Sequence, residues 1–242
     1  MTLPFFFEEN LSNQSTFILS EDTSRHVIQV LRMQKGEKLN MTNGKGHILT
    51  SQIIYENKKA TEVKVLSSEI QEPPTKKTTI AISLIKNSSR FEWFLEKATE
   101  IGVSEIIPLL CERTEKQHFR YGRMRNILIS AMLQSQQSWL PLLHTTTAFK
   151  QVIEVRNDAQ KFIAHCNQST KESLIDKIAN SQDSTIILIG PEGDFTESEI
   201  KMGYQNSFIS TSLGATRLRT ETAGIVAAVI LKCLNKKHLN TV

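Results

Sequence analysis

The stretch IILIGPEG, residues 186–193, is a strand of buried type that runs directly into a turn containing glycine and proline. A second junction of this kind follows, where LGATRLRTETA, residues 213–223, leaves a short strand and enters the last helix. Each loop leaves the carboxyl end of a predicted strand, which is where an open α/β sheet holds a ligand against backbone amides. The two loops therefore predict both the fold class and the place of a binding site.

Strands alternate with helices around these loops. Apolar residues at helical spacing indicate helices, and runs of β-branched residues indicate buried strands. The predicted order is strand 79–85, helix 91–101 ended by Gly102, strand 103–110, helix 121–137, strand 161–165, helix 171–179 and strand 184–189. This order predicts an α/β domain with a mostly parallel sheet covered on both faces.

Residues 15–67 have a different texture, with short β-type runs and one helix candidate at 24–33. NGKG, residues 43–46, is typical of a hairpin turn, because Asn and Gly accept the positive φ that tight turns require. Pro73 and Pro74 then interrupt the chain, and neither can donate to a ladder. We expect a small β-barrel domain over residues 1–72 and an α/β domain over 73–242.

Composition excludes several classes of protein. The 242 residues are 39% hydrophobic and 22% charged, and no apolar run approaches the roughly 20 residues of a membrane span. The amino terminus lacks a signal-peptide pattern, so we expect a cytoplasmic protein. Cys111, Cys166 and Cys233 are widely separated in apolar segments, which predicts buried thiols, no disulfide framework and no metal site.

Positive charge is concentrated in the second part of the chain. The net charge is −1 over residues 1–72 and +5 over residues 73–242. Five basic residues lie within thirteen positions, namely Arg113, Lys116, Arg120, Arg123 and Arg125. This density suits phosphates, although a solvated helix flank would have the same composition.

The two loops exclude common nucleotide sites. No Gly-Lys-Ser/Thr follows Gly193, and no G-x-G-x-x-G opens a helix, so triphosphate and dinucleotide binding lose their usual support. Arg217 and Arg219 precede a helix that begins near Thr220, where cations oppose the macrodipole by up to about 1 kcal/mol. An anion is therefore expected nearby, either Glu221 or Glu192 as an ion-pair partner or a bound substrate.

The last helix, from Glu221 to about residue 234, is apolar nearly all round. A helix without a polar face must be covered on more than one side. It lies either deep in its domain or against a second subunit, and both alternatives stay open at this point.

The two loops resemble those of the SPOUT methyltransferases, and within them the 16S ribosomal RNA uracil-N3 methyltransferase (RsmE) family. The resemblance depends on GPEG at 190–193, Leu213-Gly214 and LRTETA at 218–223. Further matches are RHVIQVLR at 25–32, KGE at 35–37, KATEIGV at 97–103 and QS at 134–135. Three positions depart from the family pattern: Asp194 and Gln137 replace a usual glycine and arginine, and Thr216 stands where arginine is common.

The resemblance implies a PUA-like β-barrel up to about residue 70 and a SPOUT domain with a C-terminal trefoil knot that binds S-adenosylmethionine. It also implies a homodimer and 16S ribosomal RNA or the small ribosomal subunit as partner. We expect the cofactor to lie against Ile189, Gly190, Glu192, Gly193, Leu213, Gly214, Leu218 and Arg219.

Catalytic and RNA-binding roles are hypotheses on the same pattern. Arg219 would stabilise negative charge on the uracil carbonyls, and Glu221 is the candidate base, although the helix dipole weakens it in that role. The RNA-binding candidates are Arg25, His26, Arg32, Lys86, Arg90 and Arg113. Two alternatives remain: an enzyme of this fold that modifies another ribosomal or transfer RNA nucleotide, and a non-catalytic RNA-binding module.

Overall fold

The computed structural model describes residues 3–11, 14–115, 118–167, 172–178 and 184–233. Contacts between Cα atoms divide the chain into two compact units. The first unit comprises Met1–Pro73 and Ile129–Leu140, and the second comprises Pro74–Leu128 and Pro141–Val242. The sequence-based boundary between residues 72 and 73 remains a proposal. The first compact unit also includes residues 129–140, which the sequence analysis assigned to the second domain.

The first unit is built on a five-stranded sheet in the order β1-β3-β4-β5-β2. Its strands are β1 (Phe5–Phe7), β2 (Thr16–Ile18), β3 (Lys38–Thr42), β4 (His47–Tyr55) and β5 (Glu62–Ile70). The predicted hairpin at 43–46 joins β3 to β4, which pair antiparallel. Gly46 has φ +83°, and a Cβ there would lie 2.5 Å from both the Trp139 ring and the Gln71 carbonyl oxygen. Only glycine fits this turn.

The helix predicted at 24–33 begins earlier, at Glu21, and becomes π-helical after Arg25. Ser20 caps α1 (Glu21–Arg25), accepting a hydrogen bond from the Thr23 amide. The chain then continues as a π-helical turn, His26–Val30, in which the Leu31 amide donates to the His26 carbonyl oxygen. Arg32 ends it with φ +55°, which blocks further helix. The prediction placed the helix start too late because Ser20 was not identified as its cap.

The second unit contains an eight-stranded parallel sheet in the order β11-β13-β10-β12-β6-β7-β8, with β9 also paired to β7. Its strands are β6 (Thr78–Ser83), β7 (Glu105–Leu110), β8 (Leu142–Leu143), β9 (Thr147–Ala148), β10 (Gln160–Ala164), β11 (Glu172–Ser173), β12 (Thr185–Ile189) and β13 (Ile209–Ser212). The parallel sheet confirms the α/β prediction. β6 and β12 are buried along their whole length, as continuous apolar strands require.

Six helices lie between and after these strands in the chain: α2 (Ser88–Ile101), α3 (Tyr121–Gln134), α4 (Phe149–Val155), α5 (Leu174–Ile178), α6 (Glu197–Gln205) and α7 (Thr220–Cys233). Residues 129–134 of α3 belong to the first unit. Gly102 ends α2 in the left-handed conformation, as predicted. The prediction missed α4. It also made α5 too long, since residues 172–173 form a strand and residues 171 and 179 lie outside the described residues.

The last helix packs against α2, β6, β12 and α5. A Cβ on Gly224 would lie 2.6 Å from the Phe94 ring and 2.8 Å from Ile82 Cδ1, so glycine permits this close approach. The side chains of Ile225 and Val226 stay partly exposed, and Val229 is 41% exposed. The helix is therefore buried on one side of the second unit and carries an apolar stripe on the other.

Burial of the thiols differs from the prediction at one position. Cys111 is buried, and this burial raises the pKa of its thiol to about 12. Cys166 is exposed, because it lies just after β10 in a loop rather than in an apolar segment. The side chain of Cys233 lies outside the described residues.

No helix among the described residues is both long and apolar enough to cross a membrane. In the same part of the chain, no group of three or more His, Cys, Asp or Glu side chains is arranged to hold a metal ion.

Candidate functional site

The carboxyl ends of three parallel strands meet at one edge of the second unit's sheet. β10 pairs with β12 on one side and with β13 on the other. Because the strands are parallel, the loops that follow them emerge together. They enclose a cavity of about 650 Å³.

The turn after β12 has little space around its backbone. A Cβ on Gly190 would lie 3.1 Å from the Phe195 ring, closer than most real contacts. The Asp194 amide donates to the Pro191 carbonyl oxygen at 2.9 Å, which closes the turn. The Glu192 carboxylate accepts a hydrogen bond from the Lys86 amide at 3.0 Å. These contacts constrain the turn beside the cavity.

Asp194, which departs from the family pattern, adopts φ +64°. Aspartate tolerates this left-handed conformation better than most residues, so it can occupy a position where the resemblance leads us to expect glycine. Its carboxylate accepts hydrogen bonds from the Cys166 amide at 2.7 Å and the Phe195 amide at 2.8 Å. The substitution therefore keeps the turn and links it to the loop after β10.

The second loop exposes its backbone to the cavity. Ser212 Oγ accepts a hydrogen bond from the Gly214 amide at 3.3 Å and donates one to the Gly214 carbonyl oxygen at 3.0 Å. Gly214 has φ +144°, and no heavy atom of the described residues lies within 4 Å of a Cβ built there. This backbone is accessible to a ligand.

A buried hydrogen bond joins the two loops. The Thr220 hydroxyl donates to the Gly190 carbonyl oxygen at 3.0 Å. The structure brings together seven of the eight predicted cofactor residues, since Ile189, Gly190, Glu192, Leu213, Gly214, Leu218 and Arg219 all line the cavity. Gly193 is not among the lining residues, and its carbonyl oxygen instead accepts a 2.6 Å hydrogen bond from Arg113 Nη1.

The two candidate catalytic residues both line the cavity but differ in environment. The Arg219 side chain is exposed and forms no ion pair with any described residue. Glu221 is buried, with a side-chain exposure of 10%, and its Oε1 lies 3.7 Å from Arg90 Nε. The ion pair considered between Arg219 and Glu221 is thus absent from the described structure, and Arg90 takes the place of Arg219.

His165 is a cavity residue that the sequence analysis missed. Its ring is buried at the end of β10, with Nε2 at 2.9 Å from Ser210 Oγ and 3.1 Å from the Tyr204 hydroxyl. Its Nδ1 accepts a hydrogen bond from the Asn167 amide at 3.2 Å, which assigns the proton to Nε2 in the neutral ring. Its position after a buried strand was the only available indication.

The three RNA-binding candidates of the first unit lie at or beside its π-helical turn, and all are exposed. Arg25 pairs with Glu21 at 2.9 Å and lies 3.8 Å from Asp22. The His26 ring contacts Phe6 edge to face, with centroids 5.7 Å apart. Arg32 forms no ion pair in the described part of the chain and stands at the strained end of the turn.

Two of the three candidates of the second unit, Lys86 and Arg113, contact its loops. Lys86 Nζ lies 2.8 Å from Glu115, and the hydrogen bond between them raises the pKa of Lys86. Arg113 holds the 190–193 turn through Gly193, as described above. Arg90 alone of the three lines the cavity. Of the other basic residues, Arg123 forms a bidentate pair with Glu92, and Lys116 lies outside the described residues.

Two further positions differ from the pattern of the resembled family. Thr216 is exposed and lines the cavity. Gln137 Nε2 donates to Ser135 Oγ at 2.8 Å within the first unit.

Comparison with family models gives two matches. Residues 71–232 match an RNA methyltransferase domain, and residues 19–66 match an RNA methyltransferase PUA domain. The first match contains every residue assigned to the cavity.

Similar proteins cover nearly the whole chain. A probable rRNA-methyltransferase from Porphyromonas gingivalis has a crystal structure that is 34% identical, with TM-score 0.89, covering 96% of this chain and 98% of that one. A ribosomal RNA small subunit methyltransferase E from Neisseria gonorrhoeae, crystallised with S-adenosyl methionine, is 28% identical, with TM-score 0.86 and the same coverage. A ribosomal RNA small subunit methyltransferase E from Rickettsia conorii is 28% identical over 95% of this chain and 94% of its own.

Proposed function

Because the chain belongs to the RNA methyltransferase family, we propose that it transfers a methyl group from S-adenosylmethionine to N3 of a uracil in 16S ribosomal RNA. The observation that carries this proposal is the cavity at the carboxyl ends of β10, β12 and β13. Its two loops are joined by the bond from Thr220 to Gly190. The relatives named for small-subunit methylation support the choice of RNA substrate.

The residues of the cavity suit S-adenosylmethionine. A volume of about 650 Å³ lies within the roughly 300–1,000 Å³ of ligand sites. The accessible backbone at Gly214 provides amide and carbonyl groups for polar recognition, and Ile189 and Leu218 provide apolar walls. When bound, the cofactor supplies an electrophilic methyl group on a sulfonium.

The protein contributes mainly by holding the reactants. Proximity and orientation are worth about 7–11 kcal/mol. A general base contributes roughly 10²–10⁴-fold, which is about 3–5 kcal/mol. Loops as constrained as these, with a glycine against Phe195 and a buried cross-link, are suited to fixing a methyl acceptor in line.

Arg219 is proposed to face the uracil. Its exposed guanidinium has no ion-pair partner among the described residues, so its charge is available to an anion. Loss of the N3 proton puts negative charge on the two uracil carbonyl oxygens, and a guanidinium beside them stabilises that charge. In this assignment the bound substrate, rather than Glu221 or Glu192, is the anion expected beside the 213–223 loop.

Glu221 has a positioning role in this proposal. It stands in the first turn of α7, and its carboxylate lies 3.7 Å from the Arg90 guanidinium. This contact holds Arg90 at the cavity wall. Glu221 is also the candidate acceptor of the N3 proton.

The finer architecture belongs to the same proposal. The C-terminal segment with β12, β13 and α7 forms the trefoil knot that the family resemblance implies.

Two copies form a homodimer through the apolar stripe of Ile225, Val226 and Val229 on α7. A Val229→Asp variant should then sediment as a monomer. The expected site of action is the cytoplasm.

RNA is held by the six basic candidates named from the sequence. Arg25, His26 and Arg32 serve the first unit, and Lys86, Arg90 and Arg113 serve the second. Their exposure supports this role. If phosphate contacts dominate, the logarithm of affinity for single-stranded RNA falls with the logarithm of salt by about 0.7 per contact.

The test is methylation by the purified full chain. Small ribosomal subunits and free 16S RNA from cells lacking the gene are incubated with S-adenosylmethionine, and the modified nucleoside is identified by mass spectrometry. We expect N3-methyluridine at one position. Methylation of a different atom, or a protein that binds no S-adenosylmethionine by calorimetry, would refute the proposal.

A further inference from the structure

A second cavity, of about 370 Å³, opens in the second unit beside the first turn of α2. Residues of this turn line both cavities, because Arg90 lines the first, whereas Ser89 and Phe91 line the second. The volume lies at the lower end of the range for small-ligand sites. None of the proposed catalytic or cofactor residues belongs to this second cavity.

One part of the second cavity's lining is apolar and aromatic. Leu84, Ile85, Phe91 and Met124 are buried lining residues. Phe119 is partly exposed, and its ring contacts Phe91 edge to face with centroids 6.2 Å apart. Tyr121 also contacts the Phe119 ring, with centroids 6.4 Å apart, and its hydroxyl donates to the Leu143 carbonyl oxygen. Phe119 is thus packed between two aromatic neighbours in part, while some of its ring remains accessible.

Charged side chains complete the lining, and one of them is uncompensated. Arg123 donates to both oxygens of Glu92, at 2.6 and 2.8 Å, so those two charges balance. Arg120 is exposed and forms no ion pair with any described residue. Its Nε donates a hydrogen bond to His118 Nε2 at 3.4 Å. An anion beside the cavity would therefore meet a guanidinium that no described carboxylate neutralises.

Basic and aromatic residues alternate in the segment that forms this wall, His118-Phe119-Arg120-Tyr121. Proteins that bind single-stranded nucleic acid combine aromatic rings, on which bases stack, with cations that contact the backbone. We propose that the second cavity holds a nucleobase of the RNA substrate, stacked on Phe119, with a neighbouring phosphate on Arg120. The proposal rests on the proposed function, since it deepens the recognition of the same RNA.

The shared first turn of α2 gives the second cavity its role. A target nucleotide in the first cavity and another nucleotide in the second would be fixed by one rigid element, whose cap is Asn87. The net charge of +5 over residues 73–242 favours a polyanion over a second copy of the chain as the occupant. The second cavity then helps to select RNA that is single-stranded around the target.

The test uses the full chain and a fluorescein-labelled single-stranded RNA nonamer of uridines. Phe119→Leu keeps most of the side-chain volume but removes the ring, and Arg120→Gln removes one charge. We expect Phe119→Leu to weaken binding by about tenfold, the usual effect of losing one base stack. Arg120→Gln should lower the slope of log affinity against log salt by about 0.7. Lys150→Gln, an exposed charge on α4, is the matched control and should bind as the wild type does.

Two further measurements separate the alternatives. A nonamer containing 4-thiouridine should cross-link to the peptide that contains Phe119. Calorimetry should show unchanged S-adenosylmethionine affinity in both variants. If the wild type methylates 16S RNA while Phe119→Leu and Arg120→Gln bind RNA normally, this inference is wrong and the proposed function stands.

The experiments also distinguish failure of the proposed function from failure of this inference. If the wild type does not methylate RNA but Phe119→Leu still weakens RNA binding, the second cavity is supported and the proposed reaction is wrong. If Phe119→Leu changes the sedimentation of the protein but not its RNA affinity, the cavity is a contact between copies of the chain, which contradicts the inference.

Discussion

The hydroxyl of Thr220 donates a buried 3.0 Å hydrogen bond to the carbonyl oxygen of Gly190, and this bond joins the two loops that form the cavity. The two residues are separated by thirty positions in the chain. Thr220 also starts α7, so the bond links the turn after β12 to the last helix. This contact therefore ties the start of a helix to the end of a strand beside the cavity.

Removing this hydroxyl should open the cavity. Thr220→Val keeps the shape of the side chain but leaves the buried Gly190 carbonyl without its donor, which costs about 1–3 kcal/mol. We expect a lower melting temperature and weaker S-adenosylmethionine binding by calorimetry. Thr220→Ser keeps the hydroxyl and serves as the control. Equal affinity in the valine and serine variants would show that the bond does not shape the site.

Arg219 and Arg217 form a matched pair, because both are exposed and both line the cavity. Arg219→Ala should lower kcat about 10²–10³-fold, the usual effect of losing one group that stabilises developing charge. S-adenosylmethionine affinity should stay unchanged. Arg217→Ala should have a much smaller effect on kcat. A comparable fall in kcat for both variants would assign the effect to general charge rather than to a positioned guanidinium.

Replacing two helical glycines by alanine should change the free energy of unfolding in opposite directions. Gly224→Ala places a Cβ 2.6 Å from the Phe94 ring, and such overpacking costs about 1–3 kcal/mol. Gly122 lies in α3 with no heavy atom of the described residues within 4 Å of its Cβ position. Gly122→Ala should therefore stabilise the protein by about 0.5 kcal/mol, the lower end of the value for a helix interior, because Gly122 lies in the first turn of α3. Denaturant unfolding measures both changes, and a stable Gly224→Ala variant would contradict the packing of α7 on α2.

Two substitutions of Asp194 distinguish the effect of backbone conformation on stability from the effect of hydrogen bonding. Asp194→Gly accepts φ +64° but loses the two hydrogen bonds from Cys166 and Phe195. Asp194→Ala loses the bonds and also adopts a strained backbone, which costs about 1–2 kcal/mol more. We expect the order of melting temperature to be wild type, glycine, alanine. An alanine variant as stable as the glycine variant would show that the backbone conformation carries little cost.

Stability at low pH should depend on Glu105. Burial opposes ionisation of this carboxylate, but hydrogen bonds from Arg156 and Thr79 outweigh it and lower its pKa to about 2. A pKa lower in the folded state stabilises the protein above the unfolded pKa of 4.5, and this contribution is lost as pH falls towards 2. The contribution is up to about 3 kcal/mol.

Glu105→Gln should accordingly lower the free energy of unfolding at pH 7 and flatten its pH dependence between pH 5 and about 2. Urea unfolding at several pH values is the measurement. Glu154→Gln is the control, because Glu154 is exposed and lies 3.8 Å from Lys150 within one helix. Such a pair is worth about 0.5 kcal/mol or less. A pH profile unchanged by Glu105→Gln would place the acid sensitivity elsewhere.

The sequence alone established the alternation of strands and helices and the cavity loops. Continuous apolar strands such as Thr185–Ile189 and a glycine stop such as Gly102 depend on neighbours in the chain, and local rules describe them well. The family resemblance rested on the same loop residues. These loops lie where the sequence placed them, at the carboxyl ends of parallel strands.

Tertiary structure decided which side chains meet. Glu221 pairs with Arg90, 131 positions away, rather than with nearby Arg219, and Asp194 holds the amide of Cys166. The burial of His165 and the cavity beside Phe119 likewise depend on packing between distant elements. Local sequence determines backbone conformation because its energies act over a few residues, whereas ion pairs and cavities depend on distances that only the folded sheet and its helices set.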